Sequence, residues 1–265
     1  MRCKAAVFDI DGTLIPLGAA AASTATCRAL AEARRAGVTV VIATGRGPTR
    51  CAPSVIGDLP FDYLVCVNGA CTLAADGALL DSDALSREQT DAVLALGAQA
   101  GAQVNLICAD GYYAFRAPGR PLRGYAERPG MPSILIDAEA HPPAAAAPPL
   151  GGFLLIGADA AEAYNGLNGP LRLVRFVEGH YDICKRTTDK ANSVGRLLAS
   201  LGLSWRDAAA FGDGPNDVAL LSRAGLGVSF EDASAQAKAA CGLLAPAAAA
   251  DGAALALAQL LRGGL

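Results

Sequence analysis

Apolar runs, each closed by a polar turn, recur along the chain and at first alternate with a segment of helical period. "AAVFDI" from Ala5 is one such run, "VTVVIATGR" a second rich in β-branched residues, and "DYLVCVNGA" a third. Strands covered on both faces read as near-continuous apolar runs of this kind. Between the first two lies "STATCRALAEARRAG", with Ser23 or Thr24 placed to cap a helix and Gly37 to stop it. Strand and helix in alternation predict a parallel sheet with helices on both faces and right-handed crossovers.

The rhythm changes near Asp81. "SREQTDAVLALGAQAG" has the pattern of an amphipathic helix. Five strand-like pieces follow: "AQVNLICAD", "GYYAFRA", "SILIDA", "GFLLIGA" and "LRLVRFVE". Strands with few helices between them predict an antiparallel sheet in an α+β insert. "HPPAAAAPP" reads as a surface loop. The first rhythm returns after Ile183, with helices expected in "DKANSVGRLLASLG", "GPNDVALLSRAG", "DASAQAKAACG" and "DGAALALAQLLRG", and strands ending at "WRDAAAFGD" and "LGVSF". The expected organisation is therefore a parallel α/β domain, residues 1–81 and 183–265, interrupted by a second domain, residues 82–182. No internal repeat is visible.

Composition narrows the partners. The 265 residues are 52% hydrophobic and carry a net charge of −3, with no basic stripe of the kind nucleic-acid binding needs. The eight cysteines form no C-x-x-C pair and only two histidines accompany them, so neither a zinc site nor a disulfide framework is expected. Reduced thiols in a cytoplasmic protein are the expectation. Asp9 and Asp11 interrupt any signal-peptide core, and the longest uncharged stretch is broken by prolines and glycines, so no membrane span is expected. His141 and His180 have no partner pattern and read as structural or surface residues.

Candidate chemistry gathers where the apolar runs end. The rim beyond the carboxyl ends of parallel strands is where open α/β sheets bind ligands. Asp9 and Asp11 follow the first run at strand spacing, so their side chains start on one side. Two acids held there repel unless a cation such as Mg2+ lies between them or one carries a proton and serves as a general acid. A solvated polar turn is the plain alternative. Thr44, Gly45 and Arg46 close the second run. A hydroxyl beside a glycine suits a phosphate oxygen, and equally suits a helix cap. Asp213, Asn216 and Asp217 lie in "GDGPND", either further metal ligands or an ordinary turn. Lys190 opens a predicted helix, where a cation opposes the helix dipole unless an anionic ligand is near.

Taken in order, "DIDGT", "ATGR", "DK" and "GDGPND" resemble the haloacid dehalogenase superfamily. The insert between the second and third motifs is similar in position to the C2 cap of the Cof-type phosphatases, subfamily IIB. The resemblance implies a Rossmann-like parallel-sheet core with an inserted α+β cap. It implies that Asp9 is the nucleophile, forming an aspartyl phosphate, and that Asp11 is the general acid/base. Thr44 and Lys190 would hold phosphoryl oxygens. Asp213 would bind Mg2+ with the Asp9 carboxylate and the Asp11 main-chain carbonyl, and Asp217 would orient the metal shell with help from Asn216. Gly45, Arg46 and Asn68 match positions near the phosphate pocket. The implied reaction is hydrolysis of small phosphorylated metabolites, such as sugar phosphates or pyridoxal phosphate, by a monomer or homodimer. A phosphomutase or a non-catalytic ligand-binding relative is the alternative. The chain departs from the family pattern at Ala191, at Glu231–Ala233 and in the alanines before Asp251. In the cap, Arg116, Arg120, Arg123 and Arg128 are either solvated or available for a second anionic group.

Overall fold

The computed structural model of the chain describes residues 3–124, 134–143 and 148–263. It divides into two compact units, one of Met1–Arg46, Arg50–Asp81 and Asp189–Leu265, the other of Gly47–Thr49 and Ser82–Thr188.

The first unit begins with β1 (Ala5–Phe8), α1 (Thr24–Arg35), β2 (Thr39–Ala43), α2 (Pro53–Ile56), β3 (Tyr63–Cys66), β4 (Cys71–Ala74) and β5 (Leu79–Ser82). The second unit contains α3 (Arg87–Ala100), β6 (Val104–Ile107), β7 (Tyr112–Phe115), β8 (Leu135–Asp137), β9 (Gly151–Leu155), α4 (Ala158–Gly166), β10 (Leu171–Val177) and β11 (His180–Lys185). The first resumes with α5 (Lys190–Ser200), β12 (Ala208–Phe211), α6 (Val218–Arg223), β13 (Leu226–Phe230), α7 (Ala235–Ala240), β14 (Leu243–Ala245) and α8 (Gly252–Leu261).

The core sheet runs β14-β13-β12-β1-β2-β3-β4-β5. From β14 to β3 every pairing is parallel, and β4 turns back antiparallel on β3. Val194, Leu197 and Leu198 of α5 and Leu220 of α6 pack on Ala5 and Val7 of β1, while Ala6 and Phe8 turn to the other face by strand alternation. Helix α1 packs against β2 and α8. Its start is settled at Ser23, whose hydroxyl accepts the Thr26 N–H at 3.0 Å. Phe8 and Phe211, register partners on β1 and β12, stack with ring centroids 4.3 Å apart. Each ring sits one residue before a site loop, so this stack sets the spacing of Asp9 and the Gly212–Asp217 turn.

The second unit has one sheet of order β10-β11-β9-β6-β7-β8. Val104, Leu106, Leu154, Leu171, Leu173, Tyr181 and Ile183 share a core with Val93 of α3 and Ala161 of α4. Residues of the opposite parity, among them Asn105, Phe153 and Leu155, belong to the other face. One sequence expectation needs correction. The sheet is not wholly antiparallel, because β8 pairs parallel with β7. The segment 183–188 belongs with the insert, since β11 pairs with β10 as far as Lys185 and Thr188 is hydrogen-bonded to Asp83. The strand β11, "HYDICK", was not anticipated. Four residues of "HPPAAAAPP", 144–147, lie outside the described residues. None of the eight cysteines is in a disulfide, and no described helix is long and apolar enough to cross a membrane.

Candidate active site

The ten residues singled out in the sequence all sit in loops just beyond β1, β2, β3 and β12 or at the start of α5. Beyond β1, the Asp9 N–H extends the ladder by donating to Phe211 O at 3.0 Å. Ile10 O then accepts the N–H groups of Thr13, Leu14 and Ile15, which closes a tight turn. Gly12 lies in it at φ +80°, and a Cβ there would collide with the Asp213 carboxylate. The turn needs glycine for its backbone and for its close approach to the facing loop.

Lys190, the first residue of α5, is 1% exposed. Its Nζ donates to Asp9 Oδ1 at 2.7 Å and to Asp217 Oδ1 at 2.8 Å. These two carboxylates account for a cation at a helix start. Asp217 is wholly buried, and its Oδ2 accepts the N–H groups of Asp213 and Gly214 at 3.1 and 3.0 Å. Asp217 thereby shapes the very loop that carries Asp213. Asp213 Oδ1 accepts the Thr13 hydroxyl at 2.8 Å.

Asp11 stands apart from this cluster. Its side chain is 46% exposed, and Arg46 forks across it with Nε to Oδ2 at 2.8 Å and Nη2 to Oδ1 at 2.6 Å. Arg46 itself is buried. Its N–H donates to Thr44 Oγ1 at 3.2 Å, so Thr44, Gly45 and Arg46 form one turn facing Asp11. Beyond β3, Val67 and Asn68 have φ of +50° and +51° and Gly69 +107°. A β-branched residue in that region is a strained outlier, of the kind that gathers at functional sites. The strain is held by Val67 N–H to Arg46 O and Asn68 N–H to Thr44 O. Asn68 Oδ1 accepts the Asn216 amide at 3.3 Å, joining the β3 loop to the β12 loop.

Electrostatics mark the cluster as incomplete on its own. Burial pushes the Asp9 carboxyl up to about 8; Lys190 opposes this, while Asp217 and Asp213 add to it. Burial likewise raises Asp213 to about 6, against the Thr13 hydrogen bond and with Asp217 adding. For Lys190, burial disfavours the charge, but Asp217 and Asp9 outweigh it and hold the ammonium above the usual lysine range. Three carboxylates share one ammonium. One oxygen of each of Asp9, Asp213 and Asp217 lies within 4.8 Å of the others. An all-carboxylate donor set with surplus negative charge fits a hard divalent cation such as Mg2+. Asp217 has both oxygens engaged, which leaves Asp9 and Asp213 as the better-placed ligands. The Asp11 side chain is not among the three; the expectation there concerned its main-chain carbonyl.

Thr13 and Tyr112 carried no sequence-assigned role. Thr13 sits inside the quoted "DIDGT", and a hydroxyl two residues past the second acid is the signal that was available. Tyr112 accepts the Gly47 N–H at 2.6 Å, a contact between residues 65 apart in the chain that no local pattern announces. Arg116 is engaged through Nη2 by Asp137 and Glu139, whereas Arg128 lies outside the described residues.

A parallel sheet whose central strand ends in two acids, with a buried lysine and a second acidic loop beside them, is the arrangement of a hydrolase of the haloacid dehalogenase type. The sequence matches the haloacid dehalogenase-like hydrolase family over residues 6–146 and 154–257, and the chain belongs to that family, with the Cof-type motif set. It is 28% identical over 250 residues to the HMP-PP phosphatase of Escherichia coli (strain 55989 / EAEC), covering 89% of this chain and 87% of that protein. A shorter match, 44% over 63 residues, links it to the phosphoglycolate phosphatase of Aeropyrum pernix and spans 24% of this chain and 26% of that one. The fold is shared with BT1666 of Bacteroides thetaiotaomicron, a phosphatase of the haloalkanoate enzyme superfamily (TM-score 0.82, 22% identity, 99% and 96% of the two chains). It is shared also with the subclass IIB sugar phosphatase BT4131 (TM-score 0.78, 20% identity, 99% and 100%).

Proposed function

We propose that this hydrolase is a Mg2+-dependent phosphatase of small phosphorylated metabolites, sugar phosphates or a phosphorylated cofactor such as pyridoxal phosphate, acting through an aspartyl phosphate on Asp9. The observation that carries the reading is the buried Asp9–Lys190–Asp217 array beside Asp213 at the strand ends. The HMP-PP phosphatase relatives, similar along most of the chain, support a small phosphorylated substrate.

Lys190 holds Asp9 Oδ1, and Oδ2 has no described hydrogen-bond partner. An Asp9 oxygen attacks phosphorus, forming the acyl-phosphate bond as the bond to the leaving oxygen breaks. That oxygen takes a proton from the Asp11 carboxyl. Asp11, then a carboxylate, takes a proton from water, whose oxygen attacks phosphorus, frees phosphate and restores Asp9. Arg46 has to yield at least one Asp11 oxygen for either transfer, which makes it a positioning residue for the acid/base. Thr44, Asn68 and Asn216 offer hydroxyl and amide groups to the phosphoryl oxygens, with the Gly45 turn keeping the backbone low. Asp9 and Asp213 would hold Mg2+ with the Asp11 main-chain carbonyl, Asp217 standing behind them, and the ion would supply the positive charge a dianionic ester needs among carboxylates. We assign the choice of substrate to the inserted domain.

Phosphate release from sugar phosphates, nucleotides, pyridoxal phosphate and an aryl phosphate, with Mg2+ and then with a chelator, tests this. Magnesium-dependent release is expected, and its rank order names the substrate class. No release, with phosphoryl transfer to a sugar in the presence of a bisphosphate activator, would replace hydrolysis by mutase chemistry.

A further inference from the structure

The hairpin of β6 and β7 has two ends. At one, Ile107 and Tyr112 are register partners and Tyr112 accepts the Gly47 N–H. At the other, beyond Val104 and Phe115, the chain leaving β7 folds back over the sheet face that α3 and α4 do not cover. Gln103 fixes it there. Its Oε1 accepts the Arg123 N–H at 2.8 Å and its Nε2 donates to Arg123 O at 3.0 Å. The same Nε2 donates to Asn105 Oδ1 at 2.7 Å, and Asn105 Nδ2 donates to Phe153 O at 3.3 Å. Gln103 and Asn105 are both buried. Buried amides are destabilising unless bonded, and these are bonded to one purpose, holding a loop backbone at a fixed height above the sheet.

Beneath that loop is a cavity of about 210 Å³, with Asn105, Leu155 and His180 below and Arg120 and Arg123 at its edge. A single water needs only roughly 10–15 Å³, so the space admits a small organic molecule. Among the described residues, no acidic side chain lines it. Neither arginine side chain has an ion-pair or hydrogen-bond partner among the described residues, unlike Arg116, which two carboxylates engage. Two guanidinium groups three residues apart repel until an anion joins them, and their planar forks match phosphate and carboxylate oxygens in pairs.

We infer that this cap cavity is a second binding site, for a small organic anion bearing phosphate or carboxylate groups. Arg120 and Arg123 are its ligating residues, and Gln103 holds the backbone of Arg123 in place. The inference stands on the cap alone and is independent of the phosphatase reading.

The test is a titration of the full-length, ¹⁵N-labelled Asp9→Asn protein, without metal, with pyrophosphate and, separately, citrate. The reporters are the Arg123 backbone amide and the Gln103 and Asn105 side-chain amides. Saturable shifts at these reporters are expected with at least one probe, and the responding probe identifies phosphate or carboxylate as the group read. R120A/R123A should weaken binding at least about tenfold, while R120K/R123K should recover part of it, keeping charge and losing the fork. Both arginines are exposed, and the spectrum itself reports whether the fold survives. Shifts confined to core residues with both probes, or equal affinity in R120A/R123A, would overturn the assignment.

Discussion

The two units treat polar groups in opposite ways. At the strand ends of the core, full charges are buried and matched to one another: Lys190 and Asp217 are 1% and 0% exposed, and each is bonded on more than one side. In the cap, Gln103 and Asn105 are buried as neutral amides, while the charges of Arg120 and Arg123 stay at the surface. A buried charge tolerates no loss of its partner. A surface arginine on an amide-fixed loop is replaced at little energetic cost. A substitution in the core array therefore strands a buried partner, while one at Arg120 or Arg123 leaves the buried amides beneath them intact.

The largest effect should come from the reacting group. Asp9→Asn should lower turnover by at least about a thousandfold, with an unchanged circular dichroism spectrum. Wild-type turnover in that variant would remove Asp9 as nucleophile. Next is the buried pair. Lys190→Met leaves Asp9 and Asp217 uncompensated and should destabilise the chain by about 3–5 kcal/mol in urea unfolding. Adding Asp217→Asn should return part of that loss, and a purely additive double variant would show that the pair is not coupled.

Titration sharpens the same contrast. Asp9 is raised from 3.8 to about 8 and Asp213 from 3.8 to about 6 in the folded chain. Between those limits the native state holds protons that the unfolded chain has lost, so these groups' contribution to stability is full below about pH 4 and declines as pH rises through 6 and 8. Metal-free protein should show a melting temperature that falls over this window, and added Mg2+ should offset the fall most at the upper end, because metal binding requires the ionised forms. A flat profile that Mg2+ does not alter would contradict the raised carboxyls. The smallest effect belongs to the cap. Gln103→Leu strands the Asn105 carbonyl and the Arg123 backbone and should cost about 1–3 kcal/mol, with turnover of a small aryl phosphate unchanged.

The core was legible because its information is local. Each apolar run stops at a residue that the structure brings to the strand ends, so the places of Asp9, Thr44, Asn68 and Asp213 are readable from where strands stop. What escaped is made of short or distant pieces. Strands β4, β5 and β14 are three or four residues long and carry little period. The fork of Arg46 on Asp11 joins residues 35 apart, and the hold of Gln103 on Arg123 joins residues 20 apart. Gln103 did leave a trace, as a polar residue at the head of the apolar run "AQVNLIC", but a trace of that kind names no partner. The grouping of residues 183–188 with the insert was not readable because "HYDICK" alternates too briefly to declare itself a strand.

The pairing of β1 with β12 has a consequence for how the chain is made. Ala5 lies beside Ala208, and Phe8 stacks on Phe211. A ribosome adding about 5–20 residues per second needs roughly ten to forty seconds to reach the second partner after making the first. Through that interval one edge of the central strand has no neighbour, and Phe8 lacks the ring it stacks on. An unpaired apolar edge is a template for other chains, so the nascent protein is most exposed to aggregation while the inserted domain is still being synthesised. Slower translation of that insert should lower the yield of soluble protein, and a chaperone that shields strand edges should restore it.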